Sequence, residues 1–140
     1  MLTIYPAIFY KEKNGNYSVI FPDLNHLSTS GEDLKEAMEM AVDCLAGYVY
    51  DEKKAGNELP LPTSMEKFDI HCEDDPDDDY EKIFASMVSV DVEEYARKNF
   101  EVAVKKTISI PKWLDEKAKA HKINFSKTLQ GALLKELKLR

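Results

Sequence analysis

Cysteine is scarce in this chain: Cys44 and Cys72 are the only two in 140 residues. Two thiols cannot make a disulfide framework and neither sits in a C-x-x-C spacing, so both read as ordinary thiols in a reducing cytoplasm. The three histidines, His26, His71 and His121, are scattered. They form neither a metal-ligand spacing nor a nucleophile, base and orienter set, and no metal site, cofactor or catalytic residue is expected. No apolar run approaches the roughly 20 residues that a membrane span needs, so no membrane role is expected. Residues 1–10 are apolar and alternating but lack the basic start and small-residue cleavage pattern of a signal peptide.

What is present is divided unevenly. Residues 101–140 hold 10 basic and 4 acidic side chains, about +6, while residues 1–100 hold 9 and 22, about -13. An acidic protein is a poor nucleic-acid binder as a whole, yet screening confines fields to roughly 10 Å, so a short basic segment can still meet phosphates. The acidic part needs a different partner.

The basic segment changes hydrophobic period along its length. Val102, Val104, Ile108 and Ile110 alternate with Ala103, Lys105, Thr107 and Ser109, the two-residue period of a strand, with Lys106 as a misfit on the apolar side. Pro111 stops strand pairing and suits a first helical turn, after which Trp113, Leu114 and Ala118 recur at helical spacing. A second helix is expected to begin near Asn124 or Ser126, both good N-caps, and to carry Leu129, Ala132, Leu133 and Leu137 on one face. This order of elements is that of a ribbon-helix-helix DNA-binding segment.

One strand and two short helices cannot bury a core alone, so two copies are expected to intertwine as a homodimer. The polar strand face would then carry two sets of Lys105, Thr107 and Ser109, and a two-stranded ribbon fits the major groove of operator double-stranded DNA. Asn124, Ser126 and Lys127 stand at a helix start, where free N–H groups and the dipole favour a phosphate. The alternative is an edge strand beside an amphipathic helical hairpin with no ligand.

The first 60 residues read as strand, strand, strand, helix. Residues 2–10 and 17–21 are rich in aromatic and branched side chains around the turn pair Asn14-Gly15, a hairpin signal. Residues 27–30 are a third, edge strand. Asp33 with Glu36 is a capping pair, and Leu34, Ala37, Met38, Ala41, Leu45, Tyr48 and Val49 form the stripe of a helix that ends by Gly56. Residues 59–62, Leu-Pro-Leu-Pro, are an extended connection, and the acidic run 73–81 is expected to be a solvated loop or an electrostatic lure. Residues 87–92 alternate as a last strand, 93–101 are a helical or loose link, and the boundary falls near Asn99.

The segments Tyr17-Ser18-Val19-Ile20-Phe21-Pro22-Asp23-Leu24 and Ser30-Gly31-Glu32-Asp33-Leu34-Lys35-Glu36-Ala37, in this order and followed by a helix and a Val-rich strand, resemble the amino-terminal domain of HicB-type antitoxins over most of residues 1–92. Where family members commonly carry a glycine and a cysteine after F-P-D-L, this chain has Asn25, His26 and Leu27, and the acidic stretch resembles an insertion. The resemblance implies an α+β chain: a partial ribonuclease H-like, toxin-binding domain over residues 1–99, then a DNA-binding and dimerisation module over residues 100–140. It also implies a HicA-like ribonuclease toxin as partner.

The reading that follows is a non-enzymatic cytoplasmic antitoxin and autorepressor, a homodimer through its last segment and open to a higher oligomer. Asp23, Glu32, Glu36 and Glu39, with the acidic run, are its candidate toxin contacts on charge alone. Ribonuclease H folds normally place a catalytic carboxylate on the first strand, and residues 2–10 contain none, which argues against nuclease activity. The alternative function is a stand-alone ribbon-helix-helix repressor whose amino-terminal domain binds a small ligand or merely dimerises.

Overall fold

The computed structural model describes residues 1–101 and 103–138. It divides into two compact units, Met1–Val102 and Ala103–Arg140. In the first, strands β1 (Leu2–Glu12), β2 (Tyr17–Phe21), β3 (Leu27–Gly31) and β4 (Tyr80–Asp91) form one sheet in the order β3-β2-β1-β4. All three pairings are antiparallel. Helices α1 (Leu34–Lys54) and α2 (Val92–Asn99) complete this unit.

The hairpin between β1 and β2 closes on the expected pair. Gly15 takes φ +91°, its N–H donates to the Glu12 carbonyl at 3.0 Å, and the Asn14 side chain accepts from Asn16 N–H at 2.9 Å. A short 3-10 turn, Pro22–Leu24, ends β2 and buries Leu24.

α1 starts where the capping pair puts it. The Asp33 carboxylate accepts from Glu36 N–H at 2.8 Å, and Glu36 reaches back to the Glu32 N–H at 3.4 Å. Its alanines, Ala37, Ala41 and Ala46, alternate with Leu45 and Val49 on a face wholly removed from water. Small side chains let the helix lie close to the sheet, and Gly31 takes this furthest: a Cβ there would stand 2.4 Å from the Ala37 nitrogen. Leu34, placed in the stripe by spacing, is instead exposed.

Tyr5, Ala7 and Phe9 of β1, Val19 and Phe21 of β2, and Val88 and Val90 of β4 supply the sheet's share of the core. Phe9 and Phe84 stack across the β1–β4 pair with ring centroids 5.1 Å apart. Pro6, Ile8 and Tyr10, which point the other way, are buried as well. β1 is therefore covered on both faces, which accounts for an apolar run without polar alternation at its centre.

Two sequence expectations need correction here. The last strand spans Tyr80–Asp91 rather than 87–92, because Tyr10 and Phe9 recruit Ile83 and Phe84 as ladder partners across the end of the acidic run. Val92 opens α2 instead, with Asp91 as N-cap accepting from Glu94 N–H at 3.2 Å. Of the two forms expected for the link, the helical one is found, and it belongs to the first unit: Tyr95 donates to Asp43 at 2.8 Å, and Phe100 packs against Tyr50 and Tyr95 with ring centroids 5.7 and 5.4 Å apart.

In the second unit, α3 (Lys112–Ala120) and α4 (Phe125–Glu136) fall where the periodicity puts them. The strand expected ahead of Pro111 does not form a ladder. Val102 lies outside the described residues, and residues 103–110 belong to no helix or strand pair. The physical reason is that a strand needs a neighbouring backbone, and this segment has none within its own chain.

Candidate functional site

The acidic residues of the first unit do not act alike. Asp23 sits at the end of β2 and is taken up internally: its two carboxylate oxygens accept from Thr63 N–H at 2.7 Å and Thr63 O–H at 2.8 Å. The neighbouring Tyr5 hydroxyl donates to the Pro60 carbonyl. Together they strap the Leu-Pro-Leu-Pro connection onto the sheet. Asp23 is therefore a structural anchor for its own chain, a role that sequence reasoning missed because Thr63 lies 40 residues away with no motif of its own.

Glu32, Glu36 and Glu39 are exposed at and after the start of α1. Glu39 stands 3.9 Å from Lys35, one turn earlier and also exposed. Glu32 and Glu36 line a cleft of about 450 Å³ that also includes Glu12 and Ser18. A second cleft, of about 400 Å³, shares Glu12 and Ser18 and continues to Glu73, Asp77, Asp78 and Asp79. The geometry thus joins two of the sequence candidates to the acidic run through Glu12, a residue the sequence did not single out.

That run is not a loose loop at its start. Asp74 accepts from Tyr10 at 3.3 Å and Tyr80 at 3.4 Å, and pairs with His71 at 2.8 Å, while Glu73 pairs with His26. Tyr10 and Tyr80 meet edge to face at 5.1 Å. Burial first, then the Asp74 charge, raises both phenols, that of Tyr10 well above its ordinary range. Both therefore remain hydrogen-bond donors at any physiological pH, and the carboxylate they serve stays fixed. Asp75 to Asp79 beyond it are exposed.

Among the described residues no group of three or more histidine, cysteine, aspartate or glutamate side chains stands close enough to hold a metal ion. Burial raises the thiols of Cys44 and Cys72 above their ordinary value, with Asp43 adding to the first and Glu73 to the second. Neither is an activated nucleophile.

In the second unit, Lys105, Thr107 and Ser109 are all exposed on the segment ahead of Pro111. Asn124 is the N-cap of α4 and accepts from Lys127 N–H at 3.0 Å, leaving Ser126 and Lys127 exposed in the first turn. The apolar side chains are exposed too. Val104 is 77% accessible, Trp113 65%, Ile108 61% and Leu133 51%, and neither α3 nor α4 contains a buried residue. No helix among the described residues is long and apolar enough to cross a membrane.

Comparison with known proteins gives this arrangement a context. The family model for the HicB_like antitoxin of bacterial toxin-antitoxin system matches residues 5–132. Antitoxin HicB 1 of Photorhabdus laumondii subsp. laumondii is 35% identical over 68 residues, 47% of this chain, and the match spans only 44% of that protein's length. A chain in the structure of a toxin-antitoxin complex from Streptococcus pneumoniae is 36% identical, with TM-score 0.65 over 97% of this chain and 99% of that one. The Burkholderia pseudomallei antitoxin HicB, 20% identical with TM-score 0.50 over 97% of both chains, shares the fold. With the family model covering both units and a solved relative aligned along the whole chain, this protein belongs to the HicB-like antitoxin family of bacterial toxin-antitoxin systems.

Proposed function

We propose that the chain neutralises a cognate small ribonuclease toxin by direct binding and represses its own operon by binding operator DNA, with no catalytic role, in the cytoplasm. The observation that carries this reading is the end-to-end likeness to a chain solved within a toxin-antitoxin complex. The acidic first unit is the toxin-covering part. A ribonuclease toxin has a basic RNA-binding surface, and the Glu12, Glu32, Glu36 and Asp77–Asp79 surface opposes it in charge. The partial ribonuclease H-like description of this unit rests on the β1-β2-β3 meander followed by α1, to which β4 adds an antiparallel edge.

The second unit acts as a ribbon-helix-helix dimer. Its support is the row of uncovered apolar side chains, Val104, Ile108, Trp113 and Leu133, which a second copy would bury. Pairing would also give residues 103–110 the backbone partner they lack. Lys105, Thr107 and Ser109 then face the major groove, and Lys127 with the α4 N-terminus holds a phosphate.

Co-purification with the neighbouring toxin, followed by fragment analysis, tests both halves. Residues 1–101, which keep Phe100 in its packing site, should fold, bind the toxin and rescue growth without shifting operator DNA. The complementary fragment should shift operator DNA more weakly than the full chain. A folded 1–101 fragment that fails to rescue growth would reject the division of labour.

A further inference from the structure

The connection from β2 to β3 ends on two residues in the left-handed region, Asn25 at φ +56° and His26 at φ +59°. Glycine takes this conformation freely, whereas any β-carbon there is held against the following carbonyl oxygen. What His26 gains in return lies far along the chain. Its Nδ1 pairs with the carboxylate of Glu73, 47 residues on. The two side chains differ in exposure: that of Glu73 is only 13% accessible, that of His26 74%. A carboxylate so far removed from water needs a partner, and among the described residues no other side chain bonds to it.

The same connection takes hold of the acidic segment twice, Asp23 bonding Thr63 near its start and His26 bonding Glu73 further on. Asp74, next in the chain, is held from β1 by Tyr10 and from β4 by Tyr80. From there the chain folds on itself: the Asp75 N–H donates to the Asp78 carboxylate at 2.7 Å, and the Asp78 N–H donates to the Asp75 carbonyl at 2.9 Å. Lys13 of the hairpin pairs with Asp79 at 2.7 Å, and Tyr80 opens β4. The acidic turn is thus short, internally bonded and fixed at both ends. Its position gives the cleft beside Glu12 and Ser18 a wall of Asp77, Asp78 and Asp79. With Glu12 and Glu73, five carboxylates line that cleft, and their mutual repulsion pushes the turn outward. The histidine latch acts against that push.

We propose that His26 is a positioning residue for toxin recognition, seating Glu73 so that the Asp77–Asp79 turn stands ready beside Glu12. The inference rests on the toxin-covering role proposed above for this surface. A preformed acidic wall meets a basic partner without first having to be ordered, and that difference lengthens the life of a complex. Removing the latch leaves every carboxylate in place, so the charge that guides encounter persists while the contact it leads to is loosened. His26 therefore acts on dissociation, through Glu73.

Binding kinetics of the full chain on the co-purified toxin, read beside amide hydrogen exchange, test this. His26→Gly removes the latch and relieves the left-handed backbone, so the melting temperature should hold or rise while exchange across residues 73–79 quickens. Toxin dissociation should be about tenfold faster with association little changed, the mark of lost preorganisation. Glu73→Ala should match it in dissociation, and the double variant should lose no more than either single one. Glu73→Gln, which keeps an acceptor for His26, should keep the exchange protection. Where His26→Gly does not fold, Glu73→Ala leaves the backbone of the turn alone and carries the same test. Unchanged exchange across residues 73–79 in His26→Gly overturns the inference, as does faster exchange there with unchanged toxin dissociation. So does a double variant whose losses add, or a fall in melting temperature that accounts for the toxin loss. A wild-type chain that does not bind the toxin rejects the proposed function itself, and this inference with it.

Discussion

Gly31 shows at the scale of one residue why a motif holds a particular side chain. It belongs to a G-x-x-L-x-E-A pattern that marks a helix start, but the pattern does not say why glycine leads it. The structure does: a Cβ would stand 2.4 Å from the Ala37 nitrogen, and backbone cannot swing aside as a flexible side chain can. Gly31→Ala should therefore force α1 away from β3 and cost about 1–3 kcal/mol, as overpacking does elsewhere. Urea unfolding measures this, with a lower midpoint and an unchanged slope expected. Asp23 makes the complementary point. Its charge was legible and suggested a partner on another molecule, whereas both carboxylate oxygens serve Thr63. Sequence shows which groups can bond, and only the fold shows which of them are already spent.

Elements were legible wherever a local rule forms them. The Asn14-Gly15 hairpin, the Asp33 cap, the α3 and α4 stripes and the Asn124 cap each follow from neighbours within a turn or two. Elements set by distant partners were not. β4 begins at Tyr80 because Glu12 and Lys11 lie opposite its first residues, ahead of the Tyr10–Ile83 and Phe9–Phe84 pairs, and α2 is held by Asp43 and Tyr50 of α1. The cap of α2 gives a pH-dependent test. The Glu94 N–H and then the Met1 ammonium hold the Asp91 carboxyl below its ordinary 3.8. A carboxyl lowered by folding stabilises the native state above its unfolded value, and that contribution is lost as pH falls below about 4 through the folded value. Near-ultraviolet circular dichroism of Tyr95 and Phe100 should report loosening of α2 in that window. Asp91→Asn, which caps without titrating, should remove this component of the acid transition.

At the scale of the whole molecule the charges are segregated, about -13 in residues 1–100 and about +6 in residues 101–140. Composition made this division plain, and with it the expectation of two different partners. Under the ribbon reading, Lys105→Ala or Thr107→Ala should weaken operator binding by about 1–3 kcal/mol for each base edge left unread. Lys127→Ala should weaken binding to every DNA sequence alike, and a salt titration of the mobility shift should show its slope shallower by roughly one. Equal operator affinity for a folded Lys105→Ala/Thr107→Ala chain would remove the ribbon from the groove. What sequence could not supply was the acidic surface itself. Glu12 joins the two clefts only because the β1–β2 hairpin brings it beside Ser18.

The uncovered side chains of α3 and α4 have a consequence for dosage. The first unit has its own core in one chain, but under the ribbon-dimer reading the second reaches its working form only by meeting another chain, so its population falls off faster than the chain count on dilution. Under the proposed function, dilution by cell division or depletion would lower operator occupancy first, while single chains would still hold toxin one to one. On that reading, transcription of the pair would resume before any toxin is released, and the shortage would be answered by new synthesis while the cell is still protected.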